Sequence, residues 1–216
     1  MRTKSHFTMI ELMLALGVCV IGICGVMVLF PIGANASRDA AMETYAANAA
    51  DQMLNYLKYV ITSDNEKWVD DYIKEASPSD VNTLPESMSS IDLADVILDT
   101  TVWARPAAPM GSITKNVFRY TGDATVKGVY QLISFRNDQT TGVDQTTDVA
   151  INSPLIDFRA IMNVWRQQVS MSSTYALPWN MAVQLNVEVS WPAALPYDAR
   201  QKSRYVLEVF NPNFIP

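Results

Sequence analysis

Residues 4–32 read Lys4-Ser5-His6-Phe7-Thr8-Met9-Ile10-Glu11-Leu12 and then MLALGVCVIGICGVMVLFPI. From residue 12 to residue 32 no side chain carries a charge. At about 1.5 Å of rise per residue that run is roughly 31 Å of helix, enough to cross the hydrocarbon core of a bilayer. The run predicts a transmembrane helix near the start of the chain. Arg2 and Lys4 precede it, and the positive-inside rule keeps a basic end in the cytoplasm while the rest is exported.

Glu11 is the residue that does not fit. A carboxylate at the edge of the hydrocarbon costs several kcal/mol unless it reaches the interface or finds a partner, so an acid placed there is a candidate functional residue. Snorkelling to the headgroups is the local explanation. Pairing with a cation of another molecule is the functional one.

The stretch Phe7-Thr8-Met9-Ile10-Glu11, preceded by a short basic leader, resembles the start of the type IV pilin and pseudopilin family, whose precursors are cut just before Phe-Thr-Leu-Ile-Glu. The resemblance implies that a prepilin peptidase removes residues 1–6 on the cytoplasmic side and N-methylates Phe7. It further implies that Glu11, fifth in the mature chain, pairs in the filament with the amine of Phe7 on an adjacent subunit. A charge that is neutralised only on assembly sets register as well as attracting. The family carries Gly, sometimes Ala, before the cut, whereas this chain has His6, its only histidine. A peptidase pocket shaped for Gly then meets an imidazole ring, which leaves three courses: slow processing, a divergent peptidase or an uncut leader.

An ordinary export signal is the competing reading. Ala34-Asn35-Ala36 fits the small-x-small site of signal peptidase, and a cut there would release a soluble protein. Against it, the apolar run exceeds the usual core of roughly 7–15 residues, and Glu11 would be a cost without a return. A lipoprotein cut fits less well, since Val18 and Ile23 precede the two cysteines where a small residue is expected.

At 216 residues the chain holds one ordinary domain plus an appended element. Its net charge is −6, and loss of Arg2 and Lys4 makes it more negative. No basic footprint for a phosphate backbone is present, so nucleic acid is not an expected partner. Cys19 and Cys24 are the only cysteines. Five residues apart, they stand about 140° from each other around a helix and cannot bridge within it; they read as small apolar packing residues.

Beyond residue 33 the pattern becomes amphipathic. Met42, Tyr45, Ala46, Ala49, Met53, Tyr56, Leu57 and Val60 recur at steps of three and four, with Asn48, Asp51, Gln52, Asn55 and Lys58 on the other face. One helix from about residue 7 to residue 61 is the economical reading, its first half facing lipid or neighbours and its second half serving as the spine of a globular head. Pro31 lacks an amide donor and predicts a kink. Gly17, Gly22 and Gly25 either weaken the same helix or let neighbours approach.

Residues 62–115 read as an irregular connection with short helices at 64–76 and 91–98, punctuated by Pro78, Pro85, Pro106 and Pro109. Residues 116–216 read as an antiparallel β head. Residues 129–135 are rich in strand formers, and Phe158, Ala160, Met162 and Val164 alternate with outward-facing residues. In residues 182–191, Val183, Leu185, Val187, Val189 and Trp191 alternate with Gln184, Asn186, Glu188 and Ser190, a period of two. A proline-containing turn leads to residues 205–210. This closing hairpin looks like the end of minor pilins and pseudopilins, a weaker likeness that favours a minor subunit.

With no histidine after His6, Ser-His-Asp and Cys-His catalysis and histidine zinc sites are excluded from the mature chain. The glycines form neither a dinucleotide fingerprint nor a phosphate loop. Residues 137–148 are oxygen-rich, and Asp138, Asp144 and Asp148 are weak calcium candidates, but they lack the spacing of a calcium hand.

The expectation is an α+β, pilin-like fold, with a long N-terminal helix, transmembrane in its first half, packed on a C-terminal antiparallel sheet. Its segments are a leader (1–6), a membrane span (7–32), an amphipathic continuation (33–61), a connection (62–115) and the β head (116–216). The resemblance implies a non-enzymatic filament subunit in the bacterial inner membrane, with its N-terminus cytoplasmic and its head periplasmic. Its partners would be other pilins or pseudopilins, the prepilin peptidase, and an assembly platform with its ATPase; no cofactor is called for. The alternative is an exported binding module, cut near Ala36 or held by an uncleaved anchor.

Overall fold

The computed structural model describes residues 8–63, 68, 84–89, 91–104, 117–135, 156–172 and 175–214. The chain divides into two compact units, Met1–Glu43 and Thr44–Pro216. The membrane candidate lies in the first and the sheet in the second.

Helix α1 spans Met9–Ser63. It starts where the carbonyl of Thr8 accepts the amides of Glu11 and Leu12 at 3.1 and 3.2 Å. Leu, Met and Ala fill its opening turns, and such side chains lose little freedom in a helix. Glu11 in the first turn complements the positive end of the helix dipole. Pro31 lies inside α1, where the amide it lacks is the one that would bond the Met27 carbonyl. The helix continues through it. Residues 8–41 are all exposed, with Met9 at 85% and Phe30 at 77%.

From Ala46 onward α1 is half-buried in the second unit. Ala46, Ala50, Met53, Leu54, Leu57, Val60 and Ile61 are buried, at the steps of three and four that one helix face requires. Burial of each large apolar side chain contributes about 1.5–3 kcal/mol.

Among the described residues the second unit is built on a six-stranded antiparallel sheet. Its strands are β1 (Trp103–Ala104), β2 (Val117–Tyr120), β3 (Val129–Phe135), β4 (Ile156–Gln167), β7 (Ala182–Trp191) and β8 (Gln201–Phe210), in the order β1-β2-β3-β4-β7-β8. A small ribbon, β5 (Ser170–Ser172) with β6 (Tyr175–Ala176), fills the excursion between β4 and β7. Neighbours in sequence are neighbours in space, so the sheet is a meander. The last two strands, β7 and β8, pair in register from Ala182 with Phe210 to Trp191 with Gln201.

One face of the sheet carries Phe158, Ala160, Met162, Val164, Val183, Leu185, Val187, Val189 and Trp191. The ring contact of Tyr45 with Phe158 places α1 over this face. The opposite face is covered as well, which alternation alone does not predict. Leu93, Ile97 and Trp103 pack there with Phe118, Val129, Ile133, Ile161 and Ala193. Polar residues of that face are buried as well: Gln131, Asn186 and Ser190 are wholly inaccessible. Two of them bond backbone carbonyls, Gln131 Nε2 donating to Ile97 at 3.0 Å and Ser190 Oγ to Ile161 at 3.3 Å. Ile161, expected to face outward from β4, lies in this cluster; Trp165 and Asn163, expected to face outward too, are buried, the first with the Arg204 guanidinium 4.9 Å from its ring centroid.

The cover segment forms turns and not the second short helix expected over 91–98. The Val96 amide donates to the Leu93 carbonyl at 3.3 Å and the Asp99 amide to the Val96 carbonyl at 3.1 Å. Asp92 and Asp99 explain the choice, because short acidic side chains compete with the helix for backbone amides. Asp92 accepts from the Ala94 amide at 3.1 Å, and Asp99 from the Thr101 amide at 3.0 Å. The helix expected over 64–76 lies outside the described residues apart from Trp68, which is helical and buried.

Candidate assembly segment

The first unit presents an apolar helix with one acid near its start. Glu11 is exposed, and the next charged residue along α1 is Arg38. Among the described residues α1 is the one helix long and apolar enough to cross a membrane. Gly17, Gly22, Gly25 and Gly33 each have open space where a Cβ would stand, with no atom within 4 Å. Cys19 and Cys24 are free thiols on the exposed surface of the same helix.

Glu11 also stands where a helix cap would. Thr8 precedes the first helical residue and Glu11 stands three positions on, the spacing of a capping box. The signal, Thr-x-x-Glu before an apolar run, is in the sequence. A capping residue needs only an acceptor at that position, whereas a register residue needs a charge.

His6 and Phe7 lie outside the described residues, as do Asp138, Asp144 and Asp148. Ala34, Asn35 and Ala36 are helical and exposed in mid-α1. Among the described residues no three of His, Cys, Asp and Glu stand together as a metal ion would require. The chain matches no family model, no curated protein and no solved structure.

The second unit holds a polar cluster that sequence reading missed. Arg200, its side chain 1% exposed, donates Nε to the Leu195 carbonyl at 2.7 Å and Nη2 to Asp92 Oδ1 at 3.3 Å. Asp92 also accepts the Tyr197 amide at 3.2 Å. The Tyr197 hydroxyl donates to Glu188 Oε1 at 2.8 Å, and the Lys202 ammonium sits 3.7 Å from the Tyr197 ring centroid.

The Ala94 amide, then the Tyr197 amide and the Arg200 guanidinium, hold the Asp92 carboxyl below the ordinary carboxylate range. Burial pulls Arg200 below the usual arginine value. Burial, followed by the Glu188 carboxylate, pushes the Tyr197 phenol up to about 12. The cluster ties the turn before β8 to the cover segment. Residues separated by 108 positions meet in it, so no local motif announces it.

Proposed function

We propose that the chain is a minor pilin or pseudopilin of a type II secretion or type IV pilus system, anchored in the inner membrane and assembled through the first half of α1. What carries this reading is a single helix that exposes an uninterrupted apolar surface from Leu12 to Phe30 and then buries one face, Ala46 to Ile61, in a folded unit, with Glu11 the only acid ahead of the run. A helix apolar on all sides belongs in lipid or among other apolar helices. In a filament the acid would meet the amine of Phe7 on the next subunit and be neutralised. The open positions at Gly17, Gly22 and Gly25 let backbones of neighbouring helices approach. Export and movement would be driven by a platform protein and its ATPase, since nucleotide chemistry has no residues here.

An exported module cut after Ala36 is the rival. Such a cut would divide α1 between its apolar and amphipathic halves. Mass spectrometry of the mature N-terminus separates the readings. A chain beginning at N-methylated Phe7 supports the pilin, one beginning at Ser37 replaces it with the exported module, and an intact leader replaces it with a static anchor.

A further inference from the structure

Strand β8 ends the six-stranded sheet, and among the described residues no strand pairs with its outer side. Its register with β7 runs unbroken over its whole length. Neither a bulge nor a proline blunts it, although these are common defences of an exposed edge. Just past its end the Asn211 amide donates to the Met181 carbonyl at 2.9 Å. Backbone groups alternate sides along a strand, so Ser203, Tyr205, Leu207 and Val209 address β7. Lys202, Arg204, Val206, Glu208 and Phe210 direct their amides and carbonyls outward, and such an unpaired row is a template for another strand.

Charged side chains are the remaining defence, and here two of them are drawn back over the sheet. Lys202 lies on the Tyr197 ring. The Arg204 guanidinium stands 4.9 Å from the Trp165 ring centroid on β4 and donates Nη2 to Asn186 Oδ1 at 2.8 Å on β7. Val206 and Phe210 are left 50% and 56% exposed.

We infer that two copies of this chain join edge to edge through β8, antiparallel, about a two-fold axis at Val206. In that register Val206 faces its own copy, Arg204 faces Glu208, Lys202 faces Phe210 and Tyr205 faces Leu207. Every outward-pointing backbone group from residue 202 to residue 210 then meets another outward-pointing one, the geometry of hydrogen-bonded pairs. The charges are self-complementary, as an interface made of the same patch on both subunits must be, with the Arg204 guanidinium exchanging its bond to Asn186 for the facing Glu208 carboxylate on pairing. Centring on Leu207 would set Arg204 against Phe210 and Glu208 against Val206, losing the opposite-charge pair. Centring on Tyr205 would pair Lys202 with Glu208 but set Arg204 against Val206 and leave Phe210 beyond the end of the partner strand, so that four outward-facing residues meet instead of five. The inference stands on the sheet edge alone and is independent of Glu11 and of the membrane reading.

The test uses the full chain in detergent with Cys19→Ala and Cys24→Ala. Val206→Cys in that background should give a disulfide-linked dimer on mild oxidation, because Cα atoms of a hydrogen-bonded pair lie about 5.5 Å apart, within disulfide reach. Lys202→Cys, whose counterpart is Phe210, should stay monomeric. Both positions are exposed, so the fold tolerates the substitutions. Monomeric Val206→Cys, or equal cross-linking of Lys202→Cys, overturns the pairing. With Val206→Cys in place, Arg204→Glu or Glu208→Arg should each lower the dimer yield severalfold, and the two together should restore it. Absence of restoration overturns the register.

Discussion

Tyr45 of α1 and Phe158 of β4 hold their rings 5.9 Å apart between centroids and 40° apart in plane. Phe158 continues the stack to Trp191 of β7, 6.2 Å away, so one aromatic row links the helix to two central strands. Phe158 is buried while Tyr45 is half exposed. Phe158→Ala should therefore cost about 3–5 kcal/mol, the usual range for an aromatic removed from a core. Tyr45→Ala should cost less. A double-mutant cycle read by urea denaturation should return a coupling of about 0.5–1.5 kcal/mol for the ring pair. Simple additivity would mean that the rings are neighbours without interaction.

Gly128 has φ of +70°, in the left-handed region that side chains disfavour. Its carbonyl accepts the Val164 amide at 2.7 Å. A Cβ there would press into the Val164 carbonyl oxygen and stand 2.9 Å from Pro85 Cδ. Gly128→Ala should lower stability by about 2 kcal/mol or more, since strain and a backbone clash add. Gly122 provides the contrast. Its Cβ would meet the Tyr120 hydroxyl at 2.6 Å, the far end of a side chain that can move, so Gly122→Ala should be the milder change in the same denaturation experiment.

The parts of the fold that were legible are those whose periodicity reports a single buried face. The amphipathic second half of α1 belongs to this class; the alternation over residues 182–191 located β7 correctly although both its faces are buried, and the last strand, expected at 205–210, begins earlier, at Gln201. The second cover was not legible. Gln131, Asn163, Asn186 and Ser190 look solvent-facing by composition, yet each is buried, and Gln131 bonds the Ile97 carbonyl within residues 91–104. That segment has no period, because turns capped by Asp92 and Asp99 place Leu93, Ile97 and Trp103 one by one. Strand β1, two residues long, gives no pattern at all. Glu11 was legible because it interrupts an apolar run, while its capping position is legible only when the helix start is fixed at Thr8.

Acid should weaken the second unit in part through Asp92. Its carboxyl is held below the ordinary value of 3.8, so the folded state binds that proton less readily than the unfolded chain. The stabilisation is present above the unfolded value and is lost as pH falls through the lower folded one. Asp99 and Asp123, held low first by the Thr101 hydroxyl and the Thr125 amide respectively, act in the same direction. Asp92→Asn should shrink the drop in urea midpoint between pH 5 and acid without abolishing it. An unchanged pH profile would show that the carboxylate's charge is immaterial. At the other extreme, Tyr197 with its phenol raised to about 12 contributes stability below its unfolded value that is lost as pH rises toward 12. Tyr197→Phe should flatten that alkaline decline.

Glu11 offers two explanations that a single substitution can separate. As a capping residue three positions after Thr8 it is replaceable by Gln, which keeps an acceptor of the same reach. As a register residue it is not, because Gln carries no charge to set against the amine of Phe7. Glu11→Gln should therefore leave membrane insertion and helix content unchanged while abolishing incorporation into filaments sedimented from cells. Glu11→Ala should lose incorporation and in addition weaken the first turn, by about 1 kcal/mol or less at a helix end. Filament incorporation of Glu11→Gln at the level of the parent chain would leave Glu11 as a helix cap, and the charge-pairing step would have to be withdrawn even if Phe7 were found methylated.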